Sequence, residues 1–130
     1  MKHSHSCGSL ATPVARFQLE KYDEFLAGNN RVSRTSWSEV HKVSLLGKGC
    51  FTNVHLVITQ SRQPMALKCL DPTRICNHNE FVSAASDLAI EAHVLSELDH
   101  ENIIRLHGVS ATCLSQSYNE DGWGYFLLLD

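Results

Sequence analysis

The sequence predicts an α+β fold: a five-stranded antiparallel sheet carrying one main helix. Three observations predict it. Short apolar and β-branched runs recur at residues 43–46, 54–58 and 65–70, with turn residues between them. A single longer segment then repeats apolar residues at helical spacing: Leu88, Val94, Leu95 and Leu98. Two further apolar runs follow, at residues 103–109 and 125–129. With 130 residues, of which 43% are hydrophobic, the chain has the size of one domain.

Taken in order, residues 1–12 are polar and read as a disordered tail. Thr12 and Pro13 read as an N-cap and a first helical residue, and Phe17, Tyr22, Phe25 and Leu26 recur at helical spacing. A short helix is therefore expected over 13–27, stopped at Gly28. Residues 29–36 are polar and read as a linker. The domain boundary falls near Trp37, giving an N-terminal extension at 1–36 and a domain at 37–130. Hydroxyls follow arginines at Arg31-Val32-Ser33-Arg34-Thr35-Ser36, a pattern open to phosphorylation, but a solvated linker is the simpler reading.

Within the domain, the first three strands form a meander, and a glycine turn joins the first pair. The third strand ends at Asp71-Pro72. The helix is capped at Asp87 or begins earlier, near Glu80. Asp99-His100-Glu101-Asn102 breaks it. The fourth strand carries a bulge at Gly108. The fifth is wholly apolar and should be central.

Composition narrows the function. A net charge of −3 gives no footprint for nucleic acid. No run reaches the length of a membrane span, and no apolar stretch follows the N-terminus. Five cysteines, Cys7, Cys50, Cys69, Cys76 and Cys113, form no C-x-x-C pair. That points to a reducing compartment, the cytoplasm, with the nucleus left open. Cys69 and Cys113 read as core residues and Cys50 as exposed. His3, His5 and Cys7 beside Met1 and Lys2 could ligate Cu²⁺ or Zn²⁺, but an unordered tail is the simpler reading. His55, His93, His100 and His107 are scattered over separate elements.

The chemistry concentrates in Leu46-Gly47-Lys48-Gly49-Cys50-Phe51-Thr52-Asn53-Val54. Glycines let a backbone approach a phosphate and turn its N–H groups toward it. Phe51 would fold over the phosphates and shut out water. Lys68 points inward from a strand and needs an anion. Glu91 is the one carboxylate on the apolar helix face and needs a cation. Each answers the other.

Four segments in order carry a family resemblance: residues 46–54, Met65-Ala66-Leu67-Lys68, Glu91 with Leu95, and His100-Glu101-Asn102-Ile103-Ile104. They resemble the glycine-rich loop, the V-A-I-K strand, helix C and the H-P-N-I turn of a eukaryotic protein kinase small lobe. The resemblance covers roughly residues 40–130. It implies ATP and Mg²⁺ as cofactors and transfer of the γ-phosphoryl to a protein Ser/Thr hydroxyl. Lys68 and Glu91 would be the catalytic pair. The nucleotide would lie against Leu46, Gly47, Lys48, Gly49, Cys50, Phe51, Thr52, Asn53, Val54, Ala66 and Leu129. Leu129 matches the gatekeeper and Asp130 the first hinge residue. The partners implied are ATP, a protein substrate and a large lobe covering Leu46, Val54, Ala66, Leu95 and Leu129.

Two departures bear on this. The third glycine of G-x-G-x-x-G is Thr52, which stiffens the turn. The 130 residues contain no H-R-D and no D-F-G, so the Mg²⁺ ligands and the proton acceptor would belong to the large lobe. The fragment alone is not expected to transfer phosphate. The alternative is a non-catalytic, pseudokinase-like interaction module.

Overall fold

The computed structural model describes residues 32–112 and 124–130, together with Glu20, Lys21, Asp23, Glu24 and Gly28. The tail, most of the helix expected over 13–27 and Cys113 lie outside the described residues. Glu20, Lys21, Asp23 and Glu24 are helical.

The meander forms as the sequence predicts. Strand β2 (Val40–Lys48), which ends just past Gly47, turns at Gly49 into β3 (Thr52–Thr59), which pairs with β4 (Pro64–Leu70). Helix α1 (His78–Ser96) follows, then β5 (Leu106–Ser110) and β6 (Phe126–Leu129). The expected five strands gain a sixth, β1 (Ser33–Thr35), in the stretch read as a linker. It pairs parallel with β5, so the sheet is mixed, in the order β1-β5-β6-β4-β3-β2. Three polar residues give no hydrophobic alternation, so their pairing was invisible to pattern. The signal beside them is Val32, which is buried in the core.

β6 is central, between β5 and β4, and all four of its residues are buried. Alternation sorts the side chains onto two faces. Leu127, Leu129 and Leu70 face α1, where they join Leu88, Ala85 and Phe81. Phe126, Leu128, Leu67 and Val57 face the other way, beneath Trp37 and Val40. The Trp37 ring meets Phe126 edge-on at 4.7 Å, and its Nε1–H donates to the Gly124 carbonyl at 3.1 Å. Lys42 lies 5.0 Å above the indole. On β5 the register slips between Leu106 and Gly108, which lets Leu106 and Val109 both face α1.

α1 starts earlier than Asp87. Asn77 is the N-cap: its Oδ1 accepts the Glu80 N–H at 2.9 Å, and Glu80 Oε1 accepts the Cys76 N–H at 2.8 Å. The buried face is Phe81, Ala84, Ala85, Leu88, Ala89, Ala92 and Ser96. Val94 and Leu98, expected on it, are exposed. The alanines bring the helix backbone close to the sheet, and the larger side chains fall to either side of that contact.

Candidate functional site

Lys68 leaves β4 on the face that α1 covers, because its neighbours Leu67 and Cys69 take the opposite face. Glu91 sits on α1 one turn beyond the buried Leu88. The Lys68 ammonium donates to Glu91 Oε1 at 2.8 Å. The side chains are 26% and 35% exposed. A pair this wet stabilises by about 1 kcal/mol or less, so its importance is orientation. It holds a cation at a fixed point on the floor of a cavity of about 270 Å³. Gly49, Cys50, Phe51, Thr52, Asp87 and Leu88 form its other walls.

The glycine turn closes over this cavity. The Gly49 N–H donates to the Thr52 carbonyl at 2.8 Å. A Cβ on Gly49 would come within 2.7 Å of Thr52 Oγ1, so Thr52 and Gly49 are mutually fitted. Above Gly47 the space is open, with no atom within 4 Å of a Cβ placed there. Among the described residues the N–H groups of Cys50 and Phe51 take no backbone acceptor. Gly49, Cys50, Phe51 and Lys68 line one cavity, and two N–H groups without a backbone acceptor beside an ammonium suit a phosphate chain. Phe51 lines the cavity from the turn. It is half-buried and packs against the α1-side core. Lys48 and Cys50 are exposed, and Asn53 is half-buried.

The apolar residues expected around a nucleotide base are brought together only in part. Ala66 pairs with Leu129 across β4 and β6, and with Leu56 on β3. Val54 is half-buried and pairs with Lys68. Leu46 is 56% exposed at an irregularity in β2, and Leu129 is 5% exposed, turned into the core. Asp130 is exposed. Its carboxylate meets Arg105 Nε at 3.0 Å, and its N–H donates to the Arg105 carbonyl at 3.0 Å.

Pattern reading missed Arg74. Its Nε donates to Asp71 Oδ2 at 2.8 Å. Nη1 donates to the Gly49 carbonyl, and Nη2 to the Thr52 carbonyl and to Asn53 Oδ1, both at 2.9 Å. Asp71 also accepts the Thr73 hydroxyl at 2.6 Å, and its N–H donates to the Phe51 carbonyl at 2.8 Å. Burial alone would raise the Asp71 carboxyl. Hydrogen bonds from Thr73, Arg74 and Asn53 outweigh it and hold the pKa down at about 2. The signal was Asp71-Pro72-Thr73-Arg74, an acid beside a base in a turn, which reads as ordinary solvated charge until the loop folds onto it. On the opposite face, burial pushes the Cys69 thiol up.

A family model of protein tyrosine and serine/threonine kinases matches residues 40–119, more than half of the chain. The chain belongs to the protein kinase family. No curated protein matches it. The matched span holds the glycine turn, Lys68, α1 and β5, and the α+β sheet with one helix is that of a kinase small lobe. In kinase terms α1 is helix C. Among the described residues no cluster of three or more His, Cys, Asp or Glu is placed to hold a metal. No helix among them is long and apolar enough to cross a membrane.

Proposed function

We propose that this chain is the nucleotide-binding lobe of a protein kinase, taking Mg-ATP, with a Ser/Thr hydroxyl as acceptor of the parent reaction. The observation that carries the reading is the 2.8 Å contact between Lys68 and Glu91 beneath the glycine turn. Glu91 aims the ammonium, and Lys68 in turn holds the α- and β-phosphate oxygens. The free N–H groups of the turn donate to the phosphates beyond. Val54 and Ala66 offer the base an apolar face. When bound, ATP would supply the phosphoryl group and Mg²⁺ would neutralise its charge, held by residues of the large lobe. The acceptor preference and the catalytic competence of the parent enzyme also belong to that lobe.

A non-catalytic module is the second reading, and Thr52 favours it. Its side chain stands where the pattern has a third glycine, against Gly49 and on the wall of the cavity.

Thermal unfolding of the 130-residue chain with and without excess Mg-ATP tests the proposal. A ligand of the native state raises Tm by mass action. A rise of a few degrees is expected in the parent chain and none in Lys68→Met. Phosphotransfer by the 130 residues should be absent. An equal rise in both proteins, or none in either, favours the module.

A further inference from the structure

Arg74 stands between the end of β4 and the start of α1, within reach of the glycine turn. Three residues before it, Asp71 follows the last residue of β4. Three residues after it, Asn77 caps α1. The connection is anchored by Ile75, which is buried in the α1-side core. From this fixed point the guanidinium reaches across to the glycine turn. Four of its five N–H bonds are used: one on Asp71, two on the carbonyls of Gly49 and Thr52, one on Asn53. A guanidinium so occupied is not free to take a phosphate. Its work is on the backbone. The two carbonyls it caps belong to the turn's own closing pair, since Gly49 N–H donates to the Thr52 oxygen that Arg74 also holds. The Asp71 N–H fixes the Phe51 carbonyl between them.

We propose that Arg74 is a positioning residue that holds the glycine turn closed and ties that closure to the inward seat of α1. Opening the turn strips Arg74 of three partners at once. Withdrawing α1 pulls on the same residue through Ile75 and Asn77. The two movements therefore share one set of hydrogen bonds, before any nucleotide arrives. Arginine suits this because its planar fork meets several acceptors in fixed directions, which a lysine ammonium cannot do. The benefit to nucleotide binding, a turn shaped in advance, rests on the functional reading above; the closure itself does not.

Amide hydrogen exchange of the nucleotide-free chain, read residue by residue, tests the proposal in Arg74→Ala and Arg74→Lys. The turn is reported by the amides of Gly49 and Asp71, and the start of α1 by those of Glu80 and Phe81. Paired residues Lys68 and Leu127 report the sheet. In Arg74→Ala both the turn and the helix start should exchange about tenfold faster, as loss of charge-assisted hydrogen bonds implies. The sheet amides should be unchanged, and Arg74→Lys should fall between. Unchanged turn amides would overturn the proposal. A faster turn with an unchanged helix start would overturn the coupling. Equal acceleration of the sheet would reduce Arg74 to general stability. None of these outcomes depends on ATP, so failure here is separate from failure of the nucleotide reading. If both hold, Mg-ATP affinity should fall about three- to tenfold in Arg74→Ala, the cost of ordering a loosened turn on binding.

Discussion

At the scale of single residues, the site rests on paired charges whose worth differs with their surroundings. Lys68 and Glu91 are wet, so exchanging either should alter ligand handling more than stability. Asp71 is 7% exposed and its carboxylate accepts several hydrogen bonds, so its charge contributes to the fold. Its folded pKa of about 2 lies below the ordinary 3.8. The contribution is therefore complete above about pH 4 and lost as pH falls toward 2, and it amounts to about 2 kcal/mol. Asp71→Asn should show that deficit in urea unfolding at neutral pH. The gap from the parent should close as pH falls through that window. A gap that is constant with pH would mean that the carboxylate's charge is not what matters. Lys68 and Glu91 were legible in the sequence because an isolated charge on an apolar face demands a partner. Asp71 and Arg74 were not, since acids and bases in a turn look solvated until a distant loop supplies their partners.

At the scale of elements, β1 shows where pattern reading ends. Its backbone pairs with β5 at Ser33, Arg34 and Thr35, yet its side chains carry no apolar alternation. The counterpart signal lies in β5. Gly108 has no room for a side chain, because a Cβ there would stand 2.8 Å from the Ser33 carbonyl oxygen and would strike its hydroxyl. Gly108→Ala should therefore push β1 from the edge, release Val32 and cost about 1–3 kcal/mol. Urea unfolding measures the loss. A variant as stable as the parent would show that β1 contributes little. α1 teaches a related lesson. Helical periodicity located it, but the largest apolar residues misplaced its buried face. Close packing through Ala84, Ala85, Ala89 and Ala92 decided that face instead. Its start was written in Asn77, a side-chain cap for the Glu80 N–H, with the Glu80 carboxylate holding the Cys76 N–H just before it.

At the scale of the whole molecule, the meander, the central fifth run and the helix with its glutamate were all readable from order and spacing. The surface was harder. Of the residues expected to face a large lobe, Leu46 is exposed and Val54, Ala66 and Leu95 are half-buried, while Leu129 is turned into the core by its pairing with Ala66 and Leu106. Among the described residues the large exposed apolar side chains are Val43, Leu45 and Leu46 on β2, and Ile90, Val94, Leu98, Ile103 and Ile104 along and after α1. In the proposed function the glycine turn and Lys68 act as one phosphate site. An ¹⁵N-resolved NMR titration of the 130-residue chain with Mg-ATP tests it most directly. Shifts should concentrate at the amides of residues 47–54 and 66–68, saturate with added nucleotide, and vanish in Lys68→Met. No shifts in that set, or the same shifts in Lys68→Met, would contradict the claim.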